Sequence, residues 1–222
     1  MKAKIKILRF IINRIKDIKE NKPLLIGIDG IDTAGKTIFA DRVQKYMLVD
    51  NIFEPVRISI DKFHNSQEKR YRKGEFSPKG FFEDSFNYEA IKTNVINPVK
   101  NLDNHIVEGI YDFRTESELM KNRIPINSDT VILFDGIFLN RDELYQFWDL
   151  SIFLKISFET MLDRALIRDL ELFGSEEAVI KKYQRRYIPG EKIYLNNCQP
   201  ERRADIVIDN NDYENQIIVE KY

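Results

Sequence analysis

Apolar residues in this chain follow two rhythms, and their order predicts strands alternating with helices. Short continuous apolar runs occur at Leu24-Leu25-Ile26-Gly27-Ile28, Pro55-Val56-Arg57-Ile58-Ser59-Ile60, Thr130-Val131-Ile132-Leu133-Phe134, Leu150 to Ile156, and Asp205-Ile206-Val207-Ile208-Asp209. Runs of this length and β-branched content read as buried strands. Between them, helical spacing predicts helices over 38–47, 88–99, 158–172 and from Ser175 to about Tyr187, with a short one over 141–147. Such alternation builds a doubly wound α/β domain: three layers, α/β/α, around a mostly parallel sheet. In such sheets the chemistry sits along the carboxyl ends of the strands.

Two stretches depart from that rhythm. At the start, Ile5, Leu8, Ile11, Ile12, Ile15 and Ile18 share one helical face, with Lys2, Lys4, Arg9, Lys16 and Lys19 largely elsewhere. A basic amphipathic helix suits a membrane surface, a targeting peptide or a place on a domain. No small-residue cleavage site follows the apolar segment, so docking is expected. Residues 1–22 then form an amphipathic helix packed on a single domain over 23–222. Residues 62–85 are polar, aromatic and broken by Gly and Pro, which predicts one long functional loop. Beyond it, His105-Ile106-Val107-Glu108 and Ile110-Tyr111-Asp112-Phe113 predict short extended pieces of a side hairpin or flap.

Composition adds bounds. The 222 residues, 43% hydrophobic and 32% charged, suit one domain of ordinary size. A net charge of −1 gives no global pull towards nucleic acid or an anionic membrane. One cysteine, Cys198, rules out an internal disulfide and fits a reducing cytosol, so a cytoplasmic protein is expected. No apolar run approaches the length of a membrane span. A homo-oligomer stays open.

The chemistry centres on Gly30-Ile31-Asp32-Thr33-Ala34-Gly35-Lys36-Thr37, which fits G-x-x-x-x-G-K-[ST] between an expected strand and an expected helix. Gly30 and Gly35 let the backbone turn so that successive N–H groups face phosphate oxygens. The helix that follows adds the positive end of its dipole. Lys36 would reach the β- and γ-phosphates and the Thr37 hydroxyl would bind Mg²⁺. Two strands end in acids, at Asp61 and at Asp135. Asp61 reads either as a general base or as the cap of the next turn, and position alone does not decide. Asp135, downstream of a P-loop, fits an acid that orders Mg²⁺ and its water ligands. Arg164 and Arg168 lie four apart on one face, followed by Lys181, Lys182, Arg185 and Arg186. This reads as a lid over about 164–190 closing on phosphates, or as a pair of solvated surface helices. His64 and His105 lack the neighbours of a metal site.

Taken in order, the P-loop, Asp61-Lys62-Phe63-His64, Asp84-Ser85-Phe86-Asn87, Tyr111-Asp112-Phe113, Asp135-Gly136, Arg164-x-x-x-Arg168-Asp169 and Arg202-Arg203-Ala204-Asp205-Ile206-Val207-Ile208 resemble the uridine kinase family. That family belongs to the wider phosphoribulokinase and pantothenate kinase group. The resemblance spans about residues 24 to 210 and looks closest to a divergent bacterial branch. It implies an ATP-dependent kinase acting on a nucleoside-like acceptor, with Mg²⁺. It further implies Asp61 as the base for the 5′-hydroxyl and Asp84 as the anchor of the ribose hydroxyls. Tyr111 would line the nucleobase pocket beside Phe63 and His64, and Arg164 and Arg168 would meet phosphates and substrate. Mg²⁺ would be held by Thr37, with Asp61 or Asp135 binding directly or through water.

Three features depart from the family pattern. Glu116 stands where the well-known enzymes have a base-contacting histidine, Asp135-Gly136 replaces Glu-Gly, and the loop from His64 to Phe82 differs. Phosphotransfer tolerates these changes, whereas uracil specificity does not follow from them. Rival readings are a kinase of the same group acting on pantothenate or a sugar phosphate, and a regulatory NTPase. Against the second, Asn21-Lys22-Pro23-Leu24 precedes the P-loop and lacks the acid of a guanine-reading N-K-x-D motif.

Overall fold

The computed structural model describes residues 2–219, with side chains from residue 6 onward. Met1 and residues 220–222 lie outside the described residues, as do the side chains of Lys2, Lys4 and Ile5. Helix α1 (Lys2–Ile18) leads to β1 (Leu24–Gly30), which is buried along its whole length. The P-loop follows, then α2 (Lys36–Asp50) and β2 (Glu54–Ser59). A 3₁₀ turn over Ile60–Phe63 carries Asp61 just past the strand, with the Ser59 hydroxyl accepting the Asp61 N–H.

The expected long loop after Asp61 is partly helical. It holds α3 (Gln67–Tyr71) and α4 (Pro78–Asp84). Each starts at a serine whose hydroxyl caps the first turn: Ser66 accepts from Lys69 N and Ser77 from Gly80 N. Pro78 stands at the first helical position, where its missing N–H costs nothing. The next helical stretch runs as α5 (Tyr88–Ile91), a π-helical turn (Lys92–Ile96) and α6 (Asn97–Lys100).

The flap is two small ladders rather than one hairpin. In it β3 (His105–Val107) pairs with β6 (Arg123–Pro125), and β4 (Tyr111–Asp112) with β5 (Ser117–Glu118). Strand β7 (Thr130–Gly136) follows. The short helix expected over 141–147 is reduced to a 3₁₀ turn at Tyr145–Phe147, and the Arg141 side chain turns inward to the Phe82 carbonyl and the Tyr88 hydroxyl.

After β8 (Leu150–Lys155), the helix expected over 158–172 breaks at Asp169 into α7 (Phe158–Arg168) and α8 (Leu170–Phe173). The next helix extends beyond Tyr187. It runs through α9 (Glu176–Lys182), a π-helical turn (Tyr183–Tyr187) and α10 (Ile188–Cys198). A short α11 (Pro200–Arg203) leads to β9 (Ile206–Asp209), and the edge strand β10 (Ile217–Val219) closes the chain.

The main sheet has the order β10-β9-β8-β1-β7-β2, parallel except for β10. Both faces are covered, as an all-parallel core requires. On one face Ile7, Ile11, Ile12 and Ile15 of α1 join Phe39 and Met47 of α2 in one core. Burying each such side chain contributes about 1.5–3 kcal/mol, so the apolar stripe of α1 holds it in place. On the other face α4 to α6 and α10 cover the sheet through Phe81, Phe82, Val95 and Tyr194. Because β1 is central, its carboxyl end opens between the acid-terminated β7 and β8.

Candidate active site

The P-loop takes its shape from two glycines. Gly30 has φ 156°, and a Cβ there would meet the Leu154 carbonyl at 2.7 Å; Gly35 has φ 86°, left-handed, just before α2. Side chains from outside draw the loop carbonyls away from the nest. Asn210 donates to the Ala34 carbonyl at 2.6 Å and Arg164 to the Thr33 carbonyl at 3.2 Å. The first-turn amides of α2 have no intrahelical partners and face the same hollow. Lys36 folds back across it, donating to the Ile31 carbonyl at 2.8 Å.

The acids of neighbouring strands meet at this nest. Thr37 Oγ1 donates to Asp135 Oδ2 at 2.9 Å, and Asp135 is 2% exposed. Its other oxygen takes Arg57 Nη2 at 2.6 Å, and Arg57 is paired in turn with Asp41. Asp61 sits two residues past Ser59, which is in register with Asp135. Among the described residues no hydrogen bond or ion pair reaches its carboxylate. The surrounding protein pushes the Asp61 carboxyl above its ordinary value; the His64 and Lys36 charges work the other way, and Asp135 and Asp32 add to the rise. Asp61 is nonetheless an exposed residue, open to solvent at the end of β2. Thr37, Asp135 and Asp61 offer oxygen donors only, a set that suits Mg²⁺, which takes one or two carboxylates and leaves its other positions to water and phosphate.

The arginines of α7 are engaged at the P-loop. Arg164 reaches the Asn210 and Asn211 carbonyls at 2.7 and 2.9 Å and stacks over Tyr213. Arg168 grips Asp32 with two bonds of 3.0 and 2.9 Å and pairs with Asp169. Burial works against the Asp32 carboxylate, yet Arg168 more than offsets it and holds its pKa below the ordinary value. Arg168 is half exposed and lines the same cleft as Lys36 and Thr37. Further along the lid, Arg186 is 2% exposed and donates to the carbonyls of Arg70, Gly74, Glu75 and Ser77, which ties the lid to the 70–77 segment.

On the acceptor side the expected residues are largely paired with one another. Asp84 is 2% exposed and pairs with Arg72 at 2.6 Å and Lys73 at 2.8 Å. Tyr111 donates its hydroxyl proton to Glu116 at 3.0 Å, and Glu116 also takes the Gln67 N–H and the Arg70 guanidinium. His64 lies between Phe86 and Phe113, 4.5 Å from each ring. Burial pushes its pKa down, with Asp61 acting against that. Phe63 is fully buried beside Phe134 and supports the wall from beneath instead of forming its surface. Among the described residues no group of three or more His, Cys, Asp or Glu is arranged to hold a metal.

Sequence reasoning missed part of the donor side. A cleft of about 500 Å³ runs from Thr37 and Arg42 to Asn210, Tyr213 and Gln216. Asn210 follows the last parallel strand, so the same strand-end rule that found Asp61 and Asp135 could have found it.

A phosphate nest between strand and helix, with two acids on adjacent strand ends, defines a P-loop phosphotransferase. The model of the Phosphoribulokinase / Uridine kinase family matches residues 25–215. The chain belongs to that family and is a phosphotransferase with a hydroxyl group as acceptor. Uridine-cytidine kinase B of Dictyostelium discoideum is 27% identical over 188 residues, 84% of this chain and 74% of the relative. A uridine kinase of Ligilactobacillus salivarius is 27% identical over 218 residues, 91% of this chain and 92% of the relative. Among solved structures, a possible uridine kinase from Bacillus stearothermophilus matches with a TM-score of 0.72 at 23% identity, over 90% of this chain and 96% of the other. Phosphoribulokinase from Rhodobacter spheroides matches at 0.59 and 14% identity, over 85% and 70%. These two likenesses speak for the fold. No helix among the described residues is long and apolar enough to cross a membrane.

Proposed function

We propose that the protein transfers the γ-phosphoryl group of ATP to the 5′-hydroxyl of a uridine- or cytidine-like nucleoside in the cytoplasm, with Asp61 as the base. The observation that carries this reading is the Asp61 carboxylate, unbonded among the described residues and within the field of Lys36, Asp32 and Asp135. A carboxylate without a partner can accept an acceptor's hydroxyl proton as the oxygen attacks phosphorus. The P-loop amides and Lys36 hold the donor phosphates, once Lys36 leaves the Ile31 carbonyl. Arg164 and Arg168 offset charge on the phosphoryl group in flight. Mg²⁺ held by Thr37, with Asp135 or Asp61 directly or through water, would neutralise charge on the β- and γ-oxygens.

One observation favours a second reading, a different small hydroxyl acceptor such as pantothenate or a sugar phosphate. Asp84, expected to anchor the ribose, and Glu116, which replaces the family's base-contacting histidine, are both held in ion pairs. An acceptor would have to displace Arg72, Lys73 or Arg70 to use them. Incubation with Mg-ATP and a panel of nucleosides, pantothenate and sugar phosphates, read by product mass, separates the readings. A nucleoside monophosphate supports the first, a product from another alcohol supports the second, and ADP formed without any acceptor product sinks both.

A further inference from the structure

Helix α10 presents to the P-loop two side chains that the phosphotransfer scheme leaves unused. Glu191 and Tyr194 lie three residues apart and so share one face. Tyr194 donates its hydroxyl proton to Asp29 Oδ2 at the end of β1. Glu191 Oε1 accepts the backbone N–H of Asp32 at 2.9 Å. Glu191 has no exposed surface, and among the described residues nothing hydrogen-bonds its Oε2. Buried oxygens are seldom left so. A carboxyl group in such a place avoids the cost of an unpaired charge by carrying a proton.

The surroundings as a whole support that state. Burial, first, raises the Glu191 pKa well above the ordinary value; Lys36 opposes the rise, while Asp32 and Asp29 add to it. Asp32 is already held by Arg168 and Tyr183, and Asp29 by Gly30 N, Asn140 and Tyr194. From α4, the neighbours of this turn are Pro78 and Phe81 against Gly190, and neither titrates. Lys36 is the cation of the group, and its ammonium donates to the neutral Ile31 carbonyl.

We propose that Glu191 is a positioning residue for the nucleotide seat: as a neutral acid it braces the Asp32 N–H and leaves Lys36 available to phosphate, and as a carboxylate it competes with the nucleotide for Lys36. On ionisation the carboxyl O–H bond breaks, the proton goes to water or hydroxide, and the electron pair stays on Glu191. Nucleotide binding then draws a proton back. The proposal rests on the P-loop being a nucleotide seat and not on the identity of the acceptor.

The test is calorimetric titration of the full chain with Mg-ADP from about pH 6 to about pH 9, for wild type, E191Q and E191A. Comparing variants at each pH cancels the titration of the nucleotide itself. Glutamine keeps an acceptor for Asp32 and cannot ionise. E191Q therefore holds the low-pH affinity of wild type across the range, while wild type weakens about tenfold towards high pH. E191A loses the brace and binds several-fold more weakly than wild type at low pH, on the order expected for one lost buried hydrogen bond, with no further loss towards high pH. Parallel pH curves for wild type and E191Q overturn the proposal, as does E191A binding like wild type at low pH. Thermal melting reports whether E191A folds; where it does not, the comparison of wild type with E191Q decides alone. Absence of Mg-ADP binding to wild type would take the kinase reading down as well, whereas binding with parallel curves removes only the role of Glu191.

Discussion

On the donor side, Arg164 and Asn210 pull P-loop carbonyls outward and leave backbone amides facing the hollow. On the acceptor side, charged side chains face one another instead: Asp84 with Arg72 and Lys73, Glu116 with Arg70 and Tyr111. The first arrangement offers the same donors to any triphosphate, because every residue supplies an N–H. The second is made of side chains whose partners can be exchanged one substitution at a time. Acceptor preference within such a fold can therefore drift while the phosphate seat stays constant, and the departures from the family pattern at Glu116 and 64–82 fall on the drifting side.

That contrast can be broken or sharpened by substitution. The largest effect is expected for Lys36→Met, which removes a donor to the transferring phosphates. Turnover should fall on the order of 10²–10³-fold with an unchanged melting temperature. Asp135→Asn weakens the Thr37 contact and leaves the Arg57 guanidinium with Asp41 as its remaining ion-pair partner. Its cost should be on the order of tenfold to a hundredfold in turnover, with a higher Mg²⁺ requirement measured by metal titration. Arg70→Ala acts on the other side and removes the ion-pair partner of Glu116, leaving its bonds to Tyr111 and Gln67. The acceptor KM should change by less than about tenfold while Mg-ADP affinity, measured by calorimetry, stays at the wild-type value. A donor-side change in that variant would break the comparison.

The smallest effect concerns stability against acid. Burial pushes the Asp84 carboxyl up, but Arg72 and Lys73 more than offset it and hold its folded pKa below the ordinary value. Its pairs therefore contribute fully above the unfolded value near about pH 4, and that contribution is lost as pH falls through the folded pKa. Arg72 is half exposed, so solvent screens the pair and the share is modest. Asp84→Asn should show a shallower loss of melting temperature than wild type between about pH 5 and about pH 3; equal slopes would remove Asp84 from the acid response.

What could be read from the chain follows the range of the forces involved. Strands β1, β7 and β8 are continuous apolar runs, and the P-loop is a local device whose glycines and lysine lie within eight residues, so both were visible in sequence. Two helices were missed inside 62–85 although Ser66, and Ser77 before Pro78, carried the capping signal. Their lengths are too short for periodicity to register. The extension of the lid into α10 was missed because Pro189 reads as a breaker. A π-helical turn precedes it, and proline at the first turn of the new helix removes no bond that the helix needs. Glu191 was hidden with α10. The pairings of Asp84 and Glu116 were not legible, since they join residues up to 49 apart in sequence whose approach depends on the whole fold. The edge strand β10 is short and half exposed, and such strands carry little pattern.

The central claim is that Asp61 serves the transfer step and not the binding of the nucleotide. Asp61→Asn, assayed beside wild type for Mg-ADP affinity and for phosphorylated product formed from Mg-ATP and the acceptor found in the panel, tests it most directly. Nucleotide affinity should stay within about twofold of wild type while product formation falls by about a hundredfold or more. Product formed at the wild-type rate would contradict it.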